Sequence, residues 1–269
     1  MKRSRAIALV VLLAVIATVA AFMALRPREP AFQGKRLSRW LDDYQDAAQQ
    51  VGGINTTMKA VRPMGTNAVP FLRRALHRRD NGLDNGYRRL WPKLPAWLRG
   101  RVPKPRTEAE RIRRWAPAFL RALGPAAQPA IPDLVYALQD ESWSVRYNAS
   151  VVLVDLAPNT RNAGSIASAL IRATADTNAT VRGGAFCALG KFTQEAKAVM
   201  PHLGPDLEDE SPYVRSSTIA ALAGLGSDAK ETLPKLIQAL ADSDAQVRQA
   251  ASNALARINP EAETKAFVK

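Results

Sequence analysis

The chain has 269 residues, 47% of them apolar and 6% aromatic, with a net charge of +14 and one cysteine. That length can bury a substantial core, and that composition excludes a disordered chain. One cysteine, Cys187, excludes an internal disulfide and any multi-cysteine metal site.

The charge is not spread evenly. Residues 1–25 carry three basic groups and no acid, and residues 26–124 hold 22 basic against 8 acidic side chains. Residues 125–269 hold 13 against 16, so the basicity belongs to the N-terminal half.

Residues 6–25 form an apolar stretch with one polar member, Thr18. As a helix it would be about 30 Å long, the thickness of a hydrocarbon core. Residues 1–25 are therefore expected to be a signal anchor or transmembrane helix, tying the chain to a membrane through residues 6–25. A weak cleavage pattern at Val19-Ala20-Ala21 leaves a secreted product as the alternative. Lys2, Arg3 and Arg5 favour a cytoplasmic N-terminus, whereas Arg26, Arg28, Lys35, Arg36 and Arg39 argue the other way. Long domains translocate largely regardless of such charges, so the expected location is single-pass in the inner membrane with the body extracytoplasmic or periplasmic.

Residues 26–50 read as a linker and a capping helix, with Leu37, Trp40, Leu41 and Tyr44 on one face. Residues 51–124 read as a first helix pair: one helix near Ala68–Leu76, another from Glu108 to Leu123 with a glycine stop at Gly124. Between them lies an insertion, residues 80–106, rich in Arg, Trp, Pro and Gly. Arg88, Arg89, Trp91, Trp97, Arg99 and Arg101 are its candidate binding residues. They fit anionic lipid headgroups or nucleic-acid phosphates, and equally a structural insertion with solvated arginines. A tethered, exported body favours lipid or an acidic partner and disfavours nucleic acid.

Residues 125–263 contain four repeats, followed by a tail, 264–269. Val145-Arg146, Val181-Arg182, Val214-Arg215 and Val247-Arg248 recur at spacings of 36, 33 and 33. Six residues before each arginine stands Asp140, Asp176, Asp209 or Asp242, and seven after it Leu153, Leu189, Leu222 or Leu255. Four before it stands Ser142, Asn178, Ser211 or Asp244, residues suited to cap a helix N-terminus. Each unit is thus helix–turn–helix, and such a unit must stack on neighbours to bury its apolar face. The Asp and Arg columns, Asp140, Arg146, Asp176, Arg182, Asp209, Arg215, Asp242 and Arg248, are expected to form a structural ladder. In the second repeat Ser168 replaces a proline and Thr174 a leucine, predicting a short or irregular first helix. Cys187 shares a column with Val151, Ala220 and Asn253, which predicts a buried, inert thiol between stacked helices.

The pattern P-x-L-x-x-x-L-x-D-x-x-x-x-V-R-x-x-A resembles the HEAT repeat, in the short form found in phycobilisome lyases. The opening Gly34-Lys35-Arg36-Leu37-Ser38-Arg39-Trp40-Leu41 is similar to bacterial membrane-anchored or exported HEAT-repeat proteins. The resemblance implies an all-α, right-handed α-solenoid of about five helix pairs. Its implied function is protein–protein interaction through the concave face, formed mainly by the second helices, with Arg146, Arg182, Arg215 and Arg248 at its margin unless the ladder consumes them. A HEAT-like DNA glycosylase and a bilin lyase are the enzyme alternatives. The basic residues lie in an insertion rather than along successive repeats, which argues against the former. No P-loop, G-x-S-x-G or zinc-ligand spacing occurs in the chain. The acids Asp206, Glu208, Asp209 and Glu210 read as a solvated turn rather than a cation site. No cofactor, metal or catalytic residue is therefore expected.

Overall fold

The computed structural model describes residues 30–48, 59, 61–80, 82–99, 109–156 and 160–259. The expected membrane segment 6–25, Arg101 and the tail 264–269 lie outside them. Among the described residues, no helix is long and apolar enough to cross a membrane.

The chain enters through a two-stranded hairpin, β1 (Ala31–Phe32) and β2 (Lys35–Arg36), turning at Gln33 and Gly34. It continues into α1 (Leu37–Ala48), whose Leu37 and Leu41 are buried. Trp40 packs partly against the core and carries Lys35 Nζ over its ring at 3.9 Å. α1 lies against α5 (Ala109–Leu123) and closes the N-terminal end of the helix stack. The side chain of Tyr44 lies outside the described residues.

A 3-10 turn at Arg62–Ala68 leads into α2 (Val69–Leu76), the first helix of the first pair, and α5 is its second. The insertion between them forms α3 (Gly82–Leu90), a 3-10 turn at Trp91–Lys93 and α4 (Ala96–Arg99). The next pairs are α6 (Ile131–Ala137) with α7 (Trp143–Leu156), and α8 (Ala163–Ala173) with α9 (Ala179–Leu189). The last pair is α12 (Leu233–Ala239) with α13 (Ala245–Ile258). Ahead of it, α11 (Pro212–Leu225) follows a broken segment containing only the short α10 (Ala196–Val199) between 3-10 turns.

The irregular first helix therefore falls in the third repeat, not the second. Proline-free α8 runs unbroken for 11 residues. In the third repeat Pro201 and Pro205 each open a separate 3-10 turn, and a proline offers no amide to continue a helix across it. Pro70, Pro132 and Pro234 do no such damage because each lies in the first turn of its helix.

The second helices α5, α7, α9, α11 and α13 pack side by side, each making its main contacts in the row with its neighbours. Their contact positions are apolar at helical spacing: Val145, Ala149, Val152, Leu153 and Leu156 in α7, and Val247, Ala251, Ala254, Leu255 and Ile258 in α13. The first helices α6, α8 and α12 cover one side of this row. The core is thus one continuous cluster running from Leu37 to Ile258 between two layers. The fold is a solenoid-like stack of helix pairs.

Candidate interaction surface

The repeating geometry of the stack includes an ion-pair ladder. Arg146 Nε and Nη2 donate to both carboxylate oxygens of Asp176 at 2.6 and 2.8 Å. Arg182 grips Asp209 at 2.9 and 2.9 Å, and Arg215 grips Asp242 at 2.8 and 2.7 Å. Each of these three arginines thus reaches the aspartate of the following repeat. Its remaining Nη1 donates to backbone carbonyls of its own turn, as Arg182 does to Asp176 O at 2.9 Å. Each aspartate also accepts the backbone N–H two residues on, from Ser142, Asn178, Ser211 and Asp244. A bidentate guanidinium, a fixed carbonyl and a backbone amide make each rung a rigid spacer between repeats.

Sequence reasoning missed the first rung. Arg113, 2% exposed, donates to both oxygens of Asp140 at 2.8 and 3.2 Å, and its Nη1 reaches Arg78 O at 2.8 Å. The signal was present: Ile112-Arg113, Ala116 and Leu120 follow the Val-Arg column rule, with isoleucine for valine. The insertion hid it by displacing the aspartate that normally stands six residues earlier. The arginines expected at the margin of a binding face are consumed here. Arg146, Arg182 and Arg215 are occupied and only 12–15% exposed. At the last rung, Arg248 holds its own two carbonyls at 2.7 and 2.9 Å but meets no carboxylate among the described residues.

The helix caps divide. Asn178 accepts from the amides of Thr180 and Val181, and Asp244 from those of Gln246 and Val247. Ser211 makes no side-chain cap, and Ser142 instead donates across the repeat to Glu110 at 2.8 Å.

The side of the second-helix row turned away from the first helices is open. Cys187, Ala220 and Asn253 are exposed on it. The buried thiol expected at this position is therefore wrong: the column faces solvent rather than a neighbouring helix, and its small residues reflect a shallow surface. At the α5 end this face carries Arg111, Arg114 and Arg121, with Arg114 bonded to Glu110 and Arg121 to Asp155. At the α13 end it carries the exposed amides Gln246, Gln249 and Asn253.

Its centre is aromatic. The rings of Tyr147 from α7 and Tyr213 from α11 lie over Gly183 and Gly184 of α9. A Cβ on Gly183 would stand 2.3 Å from the Tyr213 ring, and one on Gly184 2.9 Å from the Tyr147 ring. Tyr147 and Ser217 lie beside the Tyr213 side chain. Partial burial, with Tyr147 and Cys187 alongside, pushes the Tyr213 phenol well above its ordinary range, so it stays neutral. Two helices therefore bridge a third through two tyrosines while leaving Tyr213 41% exposed.

The insertion residues take different roles. Arg88 is a strut: it binds Asp80 at 2.8 Å and Asn85 at 2.7 Å, while Asp80 also accepts the Ala109 amide that opens α5. Trp91 is half-buried and packs edge-to-face on Tyr87, ring centres 5.8 Å apart. Arg89, Trp97 and Arg99 are exposed. On the first-helix side, Asp133 bridges Arg73 at 2.5 Å and His77 at 2.7 Å, joining α2 to α6. His77 also stacks on Tyr136. Among the described residues no group of His, Cys, Asp or Glu is placed to hold a metal ion.

Such a row of paired helices defines an armadillo- or HEAT-like α-solenoid. Residues 200–269 match the family model of HEAT repeats. The fold is similar to that of an engineered protein, at TM-score 0.56 and 18% identity over 82% of this chain and 91% of that one. It is similar also to a designed armadillo repeat protein, at 0.51 and 15% over 83% and 100%. The complex of CpcE and CpcF of phycocyanin lyase from Nostoc sp. PCC7120 aligns at 0.48 and 20%, over 89% and 84%. No curated protein matches the sequence.

Proposed function

We propose that this protein is a binding scaffold, not an enzyme, and that its partner lies along the open face of the second-helix row. The observation that carries this is the tyrosine bridge. Tyr213 is half-exposed, packed over Gly183 beside Tyr147 on Gly184, and set among small side chains that admit close approach. Rigid tyrosines are the residue type on which protein contacts concentrate, because they offer area and a hydroxyl at little entropic cost. The flanking arginines of α5 and amides of α13 supply a polar rim. The apolar residues 6–25 hold this scaffold at a membrane, with the solenoid on the extracytoplasmic side.

Photo-crosslinking tests the reading. A benzophenone side chain at Ala220, on the open face, captures a defined protein that one at Ser168, on the first-helix side, does not. Tyr147→Ala with Tyr213→Ala abolishes that capture without shifting the melting temperature by more than a few degrees. Equal capture from both positions, or capture indifferent to the tyrosines, overturns it. Alkaline extraction checks the tether independently: the chain stays with the membrane, and a chain lacking residues 6–25 does not.

A further inference from the structure

The insertion is where large apolar side chains and unpaired positive charge are exposed together. Trp97 is 64% and Leu90 51% exposed. Arg89, Lys93 and Arg99 are exposed, and none of them forms an ion pair among the described residues. One acid of the insertion, Asp80, is committed to Arg88 and the Ala109 amide. That commitment also fixes the base of the insertion to the start of α5, so its outer part is presented on a rigid mount.

Two ligand classes meet cations beside an aromatic ring: anionic bilayers and nucleic acids. Single strands are held by several rings on which successive bases stack. Here Tyr87 and Trp91 are turned edge-to-face on one another rather than set as successive parallel platforms for bases. Leu90 has no use in base stacking. A leucine and a tryptophan entering the headgroup layer, with arginine and lysine beside them, is the side-chain set of an interfacial contact.

We propose that the segment Arg89–Arg99 docks on the headgroup region of an anionic bilayer, with Trp97 and Leu90 as its apolar contacts. Arg89, Lys93 and Arg99 select the charge. Each cation near an anionic surface strengthens the contact about five-fold, so three of them discriminate anionic from zwitterionic lipid by about a hundred-fold. Docking there would lay the α5 end of the solenoid against the membrane and leave the α13 end free.

The test uses the full chain on vesicles of phosphatidylcholine alone or with phosphatidylglycerol, each carrying brominated acyl chains that quench tryptophan. The difference between wild type and Trp97→Phe isolates this ring. Trp97 is expected to be quenched on the phosphatidylglycerol vesicles only, and the quenching to disappear in high salt and in Arg89→Glu/Lys93→Glu/Arg99→Glu. Those three side chains are exposed, so the triple variant keeps its helical circular dichroism. Equal quenching on both lipids, or none on either, overturns the proposal. Protection of Trp97 from a soluble quencher by a single-stranded oligonucleotide, without vesicles, overturns it in favour of nucleic acid. Failure of the tether would read differently: the chain would not float with pure phosphatidylcholine vesicles, whatever Trp97 reports on the anionic ones.

Discussion

At the scale of single residues, the ladder aspartates have the most to lose. Removing the Asp209 carboxylate strands the guanidinium of Arg182 and the amide of Ser211 at once. Stranding a partly buried charge and an amide costs about 2–4 kcal/mol, so Asp209→Ala should move the urea midpoint clearly downward. Arg248→Ala removes only bonds to carbonyls at an exposed turn, and should cost under about 1 kcal/mol. The same carboxylates set the acid limit. Burial pushes Asp176 and Asp209 up, but the arginine hydrogen bonds, the backbone amides and the neighbouring guanidinium charges outweigh it, leaving both below 3.8. Asp242 is held down chiefly by its bond to Arg215. A folded-state pKa below the unfolded value means the unfolded chain binds more protons. The stabilisation is therefore complete above the ordinary carboxylate range and is lost as pH falls through the depressed values. A melting temperature flat from neutrality to about pH 5 and falling steeply below about pH 4 is the expected profile. Asp242→Asn should flatten that acid limb, and an unchanged limb would show the ladder is not its source.

At the scale of elements, the packing of α9 against α11 separates two kinds of glycine. A Cβ on Gly224 would stand 2.2 Å from Gly190 O, which is backbone and cannot move aside alone. Alanine is the better helix former by about 1 kcal/mol, but the clash wins, and Gly224→Ala should destabilise by more than about 2 kcal/mol. At Gly183 the obstacle is the half-exposed Tyr213 ring, which can swing into solvent. Gly183→Ala should therefore cost under about 1 kcal/mol in stability yet abolish crosslinking from Ala220, since the bridge is displaced. A Gly183→Ala chain that keeps full capture would remove the bridge from the binding site. The second helices were legible in the sequence because capping, helical spacing and the Val-Arg column coincide in each. The first helix of the third repeat was not, because the sequence reading did not weigh Pro201 and Pro205, each of which opens a separate 3-10 turn. Cys187 was misplaced because a column of small residues looks the same whether it faces a helix or solvent. The tyrosine bridge was hidden for a different reason. Tyr147 follows its column arginine by one residue while Tyr213 precedes its own by two, so only the intervening helix α9 brings them together.

At the scale of the whole molecule, the second helices pack chiefly on their neighbours in the row, and the charge of the chain is divided along its length. Stability is then a sum of repeat and interface contributions, and cooperativity depends on the interfaces. The rung from Arg146 to Asp176 sits at the α7–α9 interface, with α1, α2 and α5–α7 on one side and α9–α13 on the other. Breaking it with Asp176→Ala weakens the coupling between a basic, insertion-bearing half and a near-neutral half. Urea unfolding of the wild type should be one transition, and that of Asp176→Ala two, with the C-terminal unit melting first. The order follows from the packing: α9–α13 leans on α8, the broken third first helix and α12, whereas the N-terminal half also has the buried Arg113 rung and the Asp133 bridge between α2 and α6. Hydrogen exchange resolves the two units, with amides in α9, α11 and α13 losing protection together while those of α5 keep theirs. Arg248→Ala, at the end of the row, should leave a single transition. A single transition in Asp176→Ala as well would mean that the apolar contacts of α7 with α9 couple the halves without the ladder.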